Sequence, residues 1–65
     1  MKNHIKALRQ QRELTQQALA KLLGVSRQTV ISIESGRFDP SLPLAFKLAR
    51  VLDAPIEAIF DAEEG

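Results

Sequence analysis

The stretch Thr15 to Gly36, TQQALAKLLGVSRQTVISIESG, decides how this chain folds. Its apolar residues recur at helical spacing, first as Leu19, Leu22 and Leu23 with Ala18 and Ala20 beside them. Thr15 offers a side-chain oxygen to the free amides that open a helix, and Gly24 accepts the left-handed conformation that closes one. Ser26 repeats the opening signal and Gly36 the closing one, so helices are expected over about 16–23 and 27–35. Val30 and Ile33 give the second of these its inward face, and Val25 fills the turn. Ala20 is small where the two helices come closest.

Two short helices joined by about three residues make a helix-turn-helix. With Val30 and Ile33 inward, Arg27, Gln28, Ile31, Ser32 and Ser35 fall on the outer side of the second helix or its flanks. This is the chemistry that reading base edges requires. Arginine can bond O6 and N7 of guanine together, glutamine N6 and N7 of adenine, and serine either. Arg27 and Gln28 are the first two helical residues, where a recognition helix reaches deepest into the major groove. An ordinary solvated face would account for any one of these residues. It accounts less well for the set, because no acid interrupts the face before Glu34.

Outward from this unit the pattern stays helical. Asn3 is expected to cap a first helix that buries Ile5 and Leu8. Arg37-Phe38-Asp39-Pro40 reads as a turn. Ser41 caps a fourth helix carrying Leu44, Leu48 and Leu52, and Pro43 is tolerated in its first turn. Asp53-Ala54-Pro55 breaks that helix before a short fifth presents Ile56, Ile59 and Phe60. Residues 61–65 form an acidic tail expected to fray. No β-hairpin signal, repeat or linker appears. The expectation is a single all-α domain over residues 1–65, a compact bundle of five helices.

Composition narrows the function. The absence of cysteine excludes disulfides and thiolate zinc sites and fits a reducing cytoplasm. No stretch approaches the ~18 apolar residues of a membrane helix. His4 is the single histidine, so neither a metal site nor a catalytic constellation is supported, and no cofactor or small-molecule ligand is implied. The net charge of +1 conceals an asymmetry. Residues 1–37 hold seven basic side chains (Lys2, Lys6, Arg9, Arg12, Lys21, Arg27, Arg37) against Glu13 and Glu34, a balance of +5. Residues 38–65 hold Lys47 and Arg50 against six acids, a balance of −4. One half of the molecule is suited to a polyanion.

Leu14-Thr15-Gln16, Leu19-Ala20, the Leu23-Gly24-Val25-Ser26 turn and Ile33-Glu34-Ser35-Gly36 together resemble the Cro/repressor-type helix-turn-helix family of phage repressors and Xre-like regulators. Pro40 to Ala45 and Ile59-Phe60 extend the resemblance over nearly the whole chain. It implies the phage-repressor type of DNA-binding domain and a small transcriptional regulator acting as a repressor. It further implies base contacts by Arg27, Gln28 and Ser32, with Thr29 set against a phosphate or a thymine methyl. Gln16 matches a phosphate clamp, Arg37 and Ser41 a second phosphate-contacting edge, and Arg9 with Glu34 an ion pair near a phosphate. Two positions depart from the pattern. Ala18 stands where many members carry glutamate, and Asp53 where glycine usually follows the fourth helix.

The implied partner is double-stranded DNA, with two copies of the chain on a pseudo-palindromic operator. Surfaces suited to a homodimer are the Phe38–Pro43 loop and the segment holding Pro55, Ile56 and Phe60. The rival expectation is a protein-interaction module of antitoxin or inhibitor type, with Ile31 exposed. Salt separates the two, because phosphate contacts release counterions and apolar contacts do not.

Overall fold

A computed structural model describes residues 1–61 as five helices: α1 (Ile5–Gln11), α2 (Gln16–Leu23), α3 (Arg27–Glu34), α4 (Leu42–Leu52) and α5 (Ile56–Ile59). They enclose one core of Ile5, Leu19, Ala20, Leu23, Val30, Ile33, Ala45, Leu48, Leu52, Ile59 and Phe60. Leu8, Leu14, Val25, Leu44 and Ile56 pack around it, half-buried. The radius of gyration of 10.7 Å is about that of a fully collapsed chain of this length. The most extensive packing is α2 on α3, so the helix-turn-helix forms the centre of the fold. Residues 62–65, most of the expected acidic tail, lie outside the described residues.

Three helices open in one way. Thr15, Ser26 and Ser41 are extended residues whose hydroxyls accept the amides of Ala18, Thr29 and Leu44 respectively. Each removes an orphan donor from a helix start, worth about 1 kcal/mol. α1 differs. His4 holds the capping position without a side-chain bond, while Asn3, one residue earlier, accepts the Ile5 amide through Oδ1 at 3.2 Å. The Nδ2 of Asn3 donates to the Ile33 carbonyl at 2.8 Å. Asn3 is therefore a brace between α1 and the end of α3 as well as a partner for the first helical amide.

Four helices also stop in one way. Glu13, Gly24, Gly36 and Asp53 adopt positive φ after α1, α2, α3 and α4. In each case the left-handed residue donates its amide three residues back, and the next residue donates five back. These pairs of bonds define the Schellman motif and satisfy carbonyls that a helix end leaves open. Glycine accepts this conformation freely, whereas Glu13 at φ 56° and Asp53 at φ 51° adopt it against the steric preference of an L-residue.

The structure corrects the expected register at several points. Leu22, assigned to the inward stripe of α2, is 57% exposed, because Leu19, Ala20 and Leu23 already fill that side. Ser35 caps α3 from just beyond its end. Phe60 lies past α5 in extended backbone and drops into the core. There Asn3 and Phe60 form an isolated antiparallel bridge, flanked by bonds from the His4 amide to the Ile59 carbonyl and from the Asp61 amide to the Lys2 carbonyl. The Nε2 of His4 stands 2.8 Å from Oδ1 of Asp61, alongside the bridge.

Candidate nucleic-acid interface

The outer side of α3 follows from what its inner side buries. Val30 and Ile33 sit in the core, and the 100° step per residue then turns Gln28, Ile31, Ser32 and Ser35 outward. Arg27, Gln28 and Ser35 are exposed, and Thr29, Ile31 and Ser32 half-buried. The hydroxyls differ in their availability. Ser35 folds back to donate to the Ser32 carbonyl at 2.9 Å, and the Thr29 hydroxyl lies 2.9 Å from that of Ser26. Thr29 is thus tied to the cap of its own helix. Arg27 and Gln28 occupy the first two positions of α3, before any acid.

The support for this helix comes from α1 and α2. Arg9, a buried residue of α1, donates through Nε to Oε2 of Glu34 at 2.7 Å and through Nη2 to Oε1 at 3.4 Å. Its Nη1 donates to the Leu14 carbonyl at 2.8 Å, which fixes the turn before α2. Gln16, the first residue of α2, donates through Nε2 to Oε1 of Glu34 at 3.2 Å. Glu34 therefore joins three helices, and its carboxylate is matched by the adjacent guanidinium. Buried charge of this kind persists only when paired and hydrogen-bonded.

Arg9, Thr15, Gln16, Gln17 and Arg27 line a shallow cleft beside this network, where the starts of α2 and α3 meet. Arg37 and Ser41 belong to a separate place, the connection from α3 to α4. Arg37 is exposed, and Ser41 opens α4. The residues singled out from the sequence thus occur as three groups: the outer side of α3, the cleft at the starts of α2 and α3, and the α3–α4 connection. Sequence reasoning missed Asn3 as the brace of α3. The cap-like position of Asn3 was legible, but its reach to Ile33 depends on a contact across thirty residues.

Among the described residues no group of three His, Cys, Asp or Glu side chains could hold a metal ion, and no helix is long and apolar enough to cross a membrane.

Two short helices with a three-residue connection, and a polar outer face on the second, define a helix-turn-helix DNA-binding module. Residues 5–59 match the helix-turn-helix family. The chain belongs to this family, in its Cro/repressor-type, Xre-like branch of transcriptional regulators. It is 56% identical over 64 residues to an uncharacterised HTH-type transcriptional regulator of Methanocaldococcus jannaschii, covering 98% of this chain and 97% of that one. It is 39% identical over 59 residues to the immunity repressor protein of Bacillus phage phi105, covering 91% of this chain and 41% of the repressor. Among solved structures it is similar to the restriction-modification controller protein C.AhdI from Aeromonas hydrophila. That match has a TM-score of 0.78 and 36% identity, covering 86% of this chain and 85% of that one.

Proposed function

We propose that the chain is a sequence-specific repressor that lays α3 in the major groove of double-stranded DNA. The observation that carries this reading is the exposed Arg27-Gln28 pair at the start of α3, on a helix braced from behind by buried Arg9 and Glu34. In this reading Arg27, Gln28 and Ser32 contact base edges, with Thr29 beside them. A phosphate lies over the cleft lined by Arg9, Gln16 and Arg27, and a second faces Arg37 and the start of α4 at Ser41. These backbone contacts fix the docking angle, and the α3 side chains then select the sequence.

One copy offers few base contacts, so we further propose a homodimer on a pseudo-palindromic operator with half-sites about one turn, ~34 Å, apart. Of the two candidate surfaces, the C-terminal one has Phe60 buried in the core and Ile56 half-buried against it. Phe38 remains exposed, as do Leu42 and Phe46 one turn apart on α4. This apolar surface also favours the rival reading, in which a protein partner rather than DNA is the target.

The deciding experiment is selection of bound sequences from a random duplex library at two salt concentrations. A two-fold enriched motif, held less tightly as salt rises, supports the proposal. Weak, salt-insensitive binding without enrichment overturns it and favours a protein partner.

A further inference from the structure

We infer that Ile31 is a specificity-determining residue that reads a thymine C5-methyl group. The inference rests on the docking of α3 proposed for this chain. Ile31 is half-buried, yet it is not among the apolar residues that pack on the core. Helix geometry sets it on the outer side of α3, three residues after Gln28 and four before Ser35, both of which are exposed. The packing of Ile31 is therefore not that of a core residue, although the monomer partly covers it. A β-branched side chain loses rotamer freedom in a helix, and a straight-chain residue would suit a helical position outside the core better.

The chemistry of the groove supplies the complement. Each base pair presents hydrogen-bonding groups at its major-groove edge, and thymine adds a methyl, the one apolar group there. An aliphatic side chain set among Arg27, Gln28 and Ser35 cannot satisfy donors or acceptors. It can cover a methyl and exclude water from it. Thr29 is a poorer candidate for the same task because it sits at the flank of the helix, beside its cap at Ser26.

The test uses the full chain and an operator obtained by the library selection. Each thymine in turn is replaced by uracil, which keeps the hydrogen-bonding edge and removes only the methyl. At one thymine per half-site the wild-type protein should bind the uracil duplex about fourfold more weakly, the effect of burying one methyl-sized group. Ile31→Ala should bind the thymine and uracil duplexes equally at that position, and Ile31→Val should retain most of the difference. Melting temperatures of both variants close to wild type show that the change lies at the surface. If Ile31→Ala keeps the thymine preference, or if no uracil substitution weakens the wild type, the assignment is overturned while sequence reading by α3 stands. Absence of any enriched duplex overturns both.

Discussion

The guanidinium of Arg9 meets the carboxylate of Glu34 at 2.7 Å in a setting that leaves the two side chains 9% and 6% exposed. Across this pair the first helix holds the last turn of the third. Leu14 and Gln16 complete the set of hydrogen bonds, so neither charge is left to the core uncompensated.

Removing one member is therefore expected to hurt more than removing a surface hydroxyl on the same helix. Glu34→Ala leaves the Arg9 charge enclosed without its partner and should cost ~3–5 kcal/mol, a large share of the stability of so small a domain. Ser32→Ala should stay within about 1 kcal/mol of wild type. Thermal unfolding followed by circular dichroism compares them, and equal melting temperatures would refute the structural role of the pair.

Arg27→Ala and Gln28→Ala should behave differently from changes at the phosphate edges. Loss of one bidentate base contact is expected to cost ~1–3 kcal/mol against the selected operator and to relax preference at one position per half-site. Competition titrations with singly substituted operators test this. Uniform weakening at all positions would place these side chains on the backbone instead.

Arg37→Ala, by contrast, should weaken binding to all sequences alike. Each neutralised phosphate contributes about 0.9 to the slope of log affinity against log salt, so the slope should fall by roughly that amount per bound copy. An unchanged slope would remove Arg37 from the set of phosphate contacts.

Glu13→Gly should raise stability by ~0.5–1 kcal/mol, since it relieves a left-handed residue at a helix stop and removes no side-chain bond shown for Glu13. A rise of a few degrees in melting temperature is the expected result. Asp53→Gly should gain less, because Asp53 also stands 3.5 Å from Arg12 in an exposed ion pair.

The helix starts at Thr15, Ser26 and Ser41 and the stops at Gly24 and Gly36 were legible because each signal is local: one side chain or one permitted conformation acts on its own turn. Glu13 hid its stop, since nothing in a glutamate announces positive φ. Leu22 misled because three leucines in five residues cannot all face one core, and periodicity alone does not say which is left out. Phe60 was assigned to a helix that ends at Ile59, because the bridge to Asn3 lies at the far end of the sequence. At the candidate site, the place of Arg27 and Gln28 at the exposed start of α3 was legible from the cap at Ser26 and the inward Val30 and Ile33. The link from Gln16 to Glu34 needed the three-dimensional packing of α1, α2 and α3.

The antiparallel bridge of Asn3 with Phe60 has a mechanical consequence. Lys2 and Asp61 are its outermost paired residues and lie side by side, so tension applied there would load the bonds one after another, as in a zipper. Once the pair has opened past Asn3, its amide would also leave the Ile33 carbonyl. Opening of this segment would thereby remove one of the ties on the end of α3.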